Sequence, residues 1–184
     1  MYLIIGLGNP EPEYCKTRHN MGFDVINEFA KRNKIKINKS KFNALYGKGE
    51  FAGKTVMLIK PQTYMNLSGK SVVKFVKFYK EIDNIIVIYD DIDIEPENIK
   101  IRKKGGSGTH NGMKSVVQEL QTENFARIRV GIGNSKYSND LINHVIGKVS
   151  DEEYKVLQNG IQKAVLALEE IVKSGIDLAM NKFN

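Results

Sequence analysis

The chain has 184 residues, 41% of them hydrophobic and 27% charged, which suits one ordinary globular domain over residues 1–184 and leaves a second cramped. Its net charge of +7 and pI near 9.3 point to an anionic partner, nucleic acid first, although Lys-rich proteins that bind nothing acidic share that balance. Cys15 stands alone, so no intramolecular disulfide forms. No run approaches the ~20 apolar residues that cross a bilayer, and the first residues lack the basic start and cleavage site of a signal peptide. A soluble, cytoplasmic protein is expected.

Leu3–Leu7 is a short apolar run ending in glycine, a buried strand. Met21, Val25, Ile26, Phe29 and Ala30 recur at helical spacing, so a helix spans about Asn20–Arg32. Lys34–Lys41 reads as a basic connector. Asn43–Phe51 and Lys54–Ile59, joined around Gly53, read as a strand pair. A helix follows over Ser68–Lys80, then a second apolar strand, Ile85–Tyr89, cut off by acids. Lys100–Arg102 is a short strand. A glycine-rich loop, Gly105–Gly112, leads into a helix over Met113–Gln121. In Phe125–Ile132, Ile128, Val130 and Ile132 alternate with Arg127 and Arg129, as in a half-buried strand. Asp151–Ser174 is a long helix, and a short helical tail closes the chain.

Strands alternating with helices predict α/β architecture: a twisted, mixed, mostly parallel sheet with helices on both faces. Working sites in such sheets lie beyond the carboxyl ends of the strands. Charge is unevenly spread. Nine Lys or Arg and one acid, Glu50, fall between Lys31 and Lys60, whereas seven acids and no Lys or Arg fall between Glu81 and Asn98.

Five segments carry chemistry. Gly6-Leu7-Gly8-Asn9-Pro10-Glu11 begins like a dinucleotide fingerprint, but Glu11 replaces the third glycine and Pro10 interrupts the turn. A tight turn that projects Asn9 into a cleft fits better. In Thr17-Arg18-His19-Asn20, His19 falls at a loop-to-helix junction, either as a base facing a cleft or as an exposed or capping histidine. Only His110 and His144 compete with it. Tyr89-Asp90-Asp91-Ile92-Asp93 places Asp90 first after a buried strand. There a carboxylate can hold an imidazole N–H, join a divalent-metal site or simply face solvent.

The fourth segment is Pro61–Gly69. Its Asn66 is either a helix N-cap or an amide lining a polar cleft. The fifth, Gly105-Gly106-Ser107-Gly108-Thr109-His110-Asn111-Gly112, follows Lys100, Arg102, Lys103 and Lys104. It is either a phosphate-docking loop before a helix or a flexible surface loop. It is not a Walker A loop. A nucleophile elbow is missing, because Thr109 stands where glycine is required. No His/Cys group has zinc spacing in the sequence, and Cys15 reads as a small, buried or semi-buried filler.

In order and spacing, these segments together resemble the bacterial-type peptidyl-tRNA hydrolases. The likeness runs through Gly6–Pro10, Glu13-Tyr14, Thr17–Asn20, Lys60–Gly69, Tyr89–Asp93, Gly105–Gly112 and Arg127–Gly133, and is thinnest after Asn134. The resemblance implies a monomer that uses neither metal nor cofactor and cleaves the ester between a peptide and the 3′ ribose of its tRNA. It implies His19 as catalytic base and Asp90 as the carboxylate that orients it. Asn9 would distinguish blocked from free aminoacyl-tRNA. Asn66 and Asn111 would bind substrate, Tyr14 and Tyr64 would line the cleft, and Lys100, Arg102, Lys103, Lys104 and Arg129 would contact peptidyl-tRNA. Many members carry a more continuous glycine stretch and a further histidine where this chain has Lys104 and Ser107.

Three rivals stand beside this reading. An RNA-binding module would not need His19. A dinucleotide-dependent oxidoreductase would bind NAD(P). A relative of the same fold acting in chloroplast-type RNA splicing would share the motifs and lack the activity.

Overall fold

The computed structural model describes residues 1–134 and 140–184. Strand β1 (Tyr2–Gly6) is followed by two 3-10 turns, Pro12–Tyr14 and Arg18–Asn20, and by helix α1 (Met21–Arg32). Next come β2 (Lys39–Lys41), β3 (Ala44–Phe51), β4 (Lys54–Pro61) and α2 (Ser68–Phe78). The second half runs β5 (Asn84–Asp91), β6 (Ile99–Arg102), α3 (Asn111–Leu120), β7 (Ala126–Gly131), α4 (Leu141–Ile146), α5 (Asp151–Ser174) and α6 (Ile176–Phe183).

The seven strands form one sheet in the order β2-β3-β4-β1-β5-β7-β6. Its centre, β4-β1-β5-β7, is parallel, and β2, β3 and β6 are antiparallel additions at the edges. The expected mixed, mostly parallel sheet is therefore present. Central strands are apolar on both faces because helices cover both. Ile4, Val56, Leu58, Ile86 and Ile88 pack towards α1 and α5, and Leu3, Ile5, Met57, Ile59 and Val87 pack with Val72, Phe75, Met113 and Val116 of α2 and α3. The sheet thus has an α1/α5 face and an α2/α3 face.

Two differences from expectation are local. The basic connector ends in a strand, β2, whose Lys39 and Lys41 pair with Tyr46 and Ala44. A three-residue edge strand held by a neighbour has too little periodicity of its own to be read in advance. Helix α4 was also unforeseen: it has only six residues and none is buried.

Both ends of the chain are tied to the sheet. The Met1 ammonium bonds to Asp83. At the far edge the Asn184 side-chain amide accepts from the Ile101 N–H at 2.7 Å and donates to the Ile101 carbonyl at 3.1 Å.

Candidate active site

Four parallel strands end at one rim, where the loops leaving β1 and β5 meet the glycine loop, which leaves antiparallel β6 at its far end and runs back to His110. Close backbone approach sets their spacing. A side chain on Gly22, in the first turn of α1, would collide with the Ile88 carbonyl and with the backbone of Leu7, and one on Gly6 would collide with the Gly22 carbonyl. The two glycines let α1 lie directly on β1 and β5. The 3-10 turn just before α1 is thereby carried over the end of β5, which brings His19 to Asp90.

Asp90 is 2% exposed. His19 Nδ1 lies 2.9 and 3.0 Å from its two carboxylate oxygens. On the other side, His110 Nε2 lies 2.9 Å from Oδ1. His110 is also the N-cap of α3: its Nδ1 accepts the Met113 N–H at 3.2 Å. An imidazole nitrogen that accepts carries no proton, so the His110 proton sits on Nε2 and is donated to Asp90. Both nitrogens of His110 are thus committed. His19 donates Nδ1–H, and its Nε2 has no hydrogen-bond partner among the described residues.

This arrangement fixes the electrostatics. Burial alone would raise the Asp90 carboxyl, but the two imidazoles outweigh it and hold the acid well below its ordinary range. Burial works against a charge on His19, yet the Asp90 charge and hydrogen bond prevail and its pKa is raised above 6.5. The nearest donor atoms of His19, Asp90 and His110 lie within 4.8 Å of one another, close enough to bracket a divalent ion. As protonated here, that space is filled by N–H···O bonds, and an ion would have to displace both protons.

Asn9 is pinned from three sides. Its N–H donates to Asn20 Oδ1 at 2.8 Å, its carbonyl accepts from Asn20 Nδ2 at 3.0 Å, and its own Oδ1 accepts the Met65 N–H at 2.8 Å. With that oxygen occupied, the Nδ2 amino group is the free end of the side chain. Asn20 thus ties Asn9 to the residue next to His19.

A cleft of about 400 Å³ opens over the histidine pair, within the usual range for small-molecule sites. His19, Asp90, Asn111, Arg102, Lys104 and Arg129 line it, together with the glycine loop. Its remaining wall is apolar: Leu141, Ile142 and Val145 of α4. Ile142 is 71% exposed.

The other expected site residues lie elsewhere. Tyr64 and Tyr14 flank Glu11 outside the cleft lining, and the Tyr64 hydroxyl bonds to that carboxylate. Tyr64 takes φ 60 and ψ 161, a backbone conformation that side chains avoid. Asn66 is exposed in the next 3-10 turn and does not cap α2, whose N-cap is Leu67. Lys100 does not line the cleft. Lys103 is drawn away to Asp177 of α6 at 2.6 Å, and Arg129 binds Asp91 through Nε at 2.6 Å.

Two sequence readings need correction. Arg127 was assigned to the solvent side of a half-buried strand but is 1% exposed. Its guanidinium donates to the Gly106 carbonyl at 2.9 Å and the Glu123 carbonyl at 3.1 Å, and lies over the Phe125 ring. The glycine loop folds down on it, so alternation along β7 reports which face a side chain takes and not what covers it. Cys15, read as a buried or semi-buried filler, is exposed, because the 3-10 turns after β1 run along the surface.

The family model for peptidyl-tRNA hydrolase matches residues 3–184. The chain belongs to the peptidyl-tRNA hydrolase family. It is 49% identical over 185 residues to a peptidyl-tRNA hydrolase of Alkaliphilus metalliredigens, covering all of both chains. It is 50% identical to one of Clostridium beijerinckii, covering all of this chain and 96% of that one. The crystal structure of peptidyl-tRNA hydrolase from Acinetobacter baumannii superposes with a TM-score of 0.93 at 37% identity, covering all of this chain and 94% of that one. Members of this family are hydrolases, and this chain is one.

Proposed function

We propose that this enzyme hydrolyses the ester between a peptide, or an N-blocked amino acid, and the 3′ ribose of tRNA, with His19 as general base and without a metal. The observation that carries the proposal is the orientation of His19. It spends Nδ1 on a buried carboxylate and presents Nε2 beside the cleft. His110 has no nitrogen left to offer.

His19 Nε2 takes a proton from a water as its oxygen attacks the ester carbonyl carbon. Asp90 holds the tautomer and stabilises the imidazolium that forms. We assign the developing oxyanion to the amino group of Asn9, whose amide oxygen is held by the Met65 N–H. When the tetrahedral intermediate collapses, the ribose 3′ oxygen leaves and takes the proton back from the imidazolium. The products are a free carboxylic acid and a tRNA hydroxyl, and no covalent enzyme intermediate is needed.

The wall made by Leu141, Ile142 and Val145 suits the apolar side chains of a peptide. Asn111 binds substrate inside the cleft, with Asn66, Tyr14 and Tyr64 beyond its lining. Arg102 and Lys104 are the basic residues best placed for the RNA. Lys100, Lys103 and Arg129 are weaker contacts, since Lys100 lies outside the cleft lining and the other two are engaged by carboxylates. The enzyme works as a monomer in the cytoplasm, in keeping with a chain whose one thiol is free. No helix among the described residues is long and apolar enough to cross a membrane.

The test is release of the blocked amino acid from N-acetyl-aminoacyl-tRNA, beside the unblocked form, by the native chain and by His19→Ala. Cleavage of the blocked form, sparing of the free one, and loss of activity in the mutant with tRNA binding intact support the proposal. Binding without cleavage by the native chain would reduce it to an RNA-binding module, and full activity in the mutant would remove His19 from the mechanism.

A further inference from the structure

The α2/α3 face of the sheet carries two basic surfaces, and only one adjoins the cleft. Ile99, Ile101, Ile128 and Val130 of β6 and β7 point to the α1/α5 face. By alternation, Lys100, Arg102 and Arg129 point to the α2/α3 face, beside the glycine loop. The second surface lies on the other flank. Helix α2 contains Lys70, Lys74 and Lys77 and no acid. All three lysines are exposed. The i, i+4, i+7 spacing sets them in one stripe, which starts in the first turn of α2 and runs down the helix. Lys80, just past the end of α2, is exposed as well.

The stripe then meets the open edge of the sheet. Lys39 and Lys41 of β2 stand opposite Tyr46 and Ala44, which belong to the same face as α2. Lys41 Nζ sits 3.4 Å from the centre of the Phe78 ring at the end of α2. None of these six lysines is ion-paired among the described residues. By contrast α5, on the opposite face, carries five acids against three lysines.

We propose that this lysine surface, from Lys70 along α2 to Lys39 and Lys41, is a second RNA-docking surface that grips the phosphate backbone of the tRNA body. The proposal rests on tRNA being the substrate. From Lys70 to Lys77 the stripe spans about 10 Å at 1.5 Å per residue, enough to follow neighbouring phosphates along a backbone. Lysines are point charges on flexible stems, suited to phosphates and not to reading bases. A membrane fits less well: the exposed apolar residues Leu67 and Phe78 lie at opposite ends of α2 and Phe78 sits under the Lys41 ammonium, which leaves no continuous apolar ridge to insert.

The test compares the native chain with the fourfold variant Lys70→Gln, Lys74→Gln, Lys77→Gln, Lys80→Gln, its folding checked by circular dichroism and melting. Both act on full-length N-acetyl-aminoacyl-tRNA and on the same acyl group esterified to a CCA trinucleotide, and binding of deacylated tRNA is measured separately. The expected result is a KM about tenfold or more higher on the full tRNA, with unchanged kcat and unchanged values on the trinucleotide. The slope of log affinity against log salt for deacylated tRNA should shrink by about 2–3. Equal KM on full-length tRNA, or an equal rise on both substrates, overturns the proposal. So does a variant that binds tRNA normally but loses adhesion to phosphatidylserine vesicles. If the native chain cleaves neither ester, the catalytic reading has failed, and the tRNA-binding comparison still decides the docking surface.

Discussion

Two loops deliver a histidine to the same carboxylate, and they hold it in opposite ways. The loop after β1 offers Nδ1 of His19 and leaves Nε2 open, whereas the loop before α3 uses one nitrogen of His110 on Asp90 and the other on the Met113 N–H. The same side chain at the same distance thus keeps a ring nitrogen open in one loop and is a fixed donor in the other. What separates them is the partner of the second nitrogen, a property of helix capping and not of residue type.

The comparison can be broken most directly at the base. His19→Ala is expected to lower kcat about 10²–10⁴-fold with KM for the blocked substrate nearly unchanged, as read by steady-state kinetics. A similar loss in His110→Ala would make the two histidines equivalent and remove the distinction. A smaller effect is expected there: loss of one hydrogen bond to a charged group, about 10–100-fold, together with a lower melting temperature from the lost cap of α3.

A pH profile sharpens the contrast further. A general base must be neutral to act, and the His19 pKa is raised by Asp90, so on the proposed mechanism kcat/KM should fall as pH drops through a value above 6.5. In Asp90→Asn the residual activity should titrate lower, because burial then acts alone. The sign for stability is opposite. The imidazolium is favoured in the folded state, so its contribution is full below pH 6.5 and is lost as pH rises through the folded pKa. An unmoved inflection in Asp90→Asn would mean that another group is being titrated.

The smallest effect lies away from the cleft. Burial lifts Asp24 to about 6, against the Tyr154 hydroxyl and Lys60, which pull the other way. A carboxyl whose folded pKa is raised costs stability as pH climbs from 3.8 to 6. Asp24→Asn should therefore gain about 2 kcal/mol at pH 7.5 and little at pH 4 in denaturant melts. Activity should not change; a change would tie α1 to the histidine pair more closely than the contacts suggest.

Much of this arrangement was legible in the sequence. The apolar runs of β1, β4 and β5 need no context, and Asn9 follows β1, Asp90 lies at the end of β5 and His19 stands just before α1. His110 lay inside a motif already singled out, but its tie to Asp90 spans 20 residues and depends on how the glycine loop folds back. A signal was nonetheless present: a side chain able to accept an N–H, directly before a helical run. Arg127 and α4 were hidden for related reasons. Which carbonyls cover a guanidinium, and what a six-residue helix leans on, are decided by residues far away in the chain.

The amide of Asn184 reaches back to both backbone groups of Ile101. A sheet in water has two rims, and an unprotected rim invites a strand from another molecule to add itself. Here the Asn184 side chain imitates the next strand for one residue at the β6 rim, while the opposite rim at β2 carries Lys39 and Lys41. A side-chain cap on one edge and lysines on the other are two of the means by which sheets discourage pairing with a further strand.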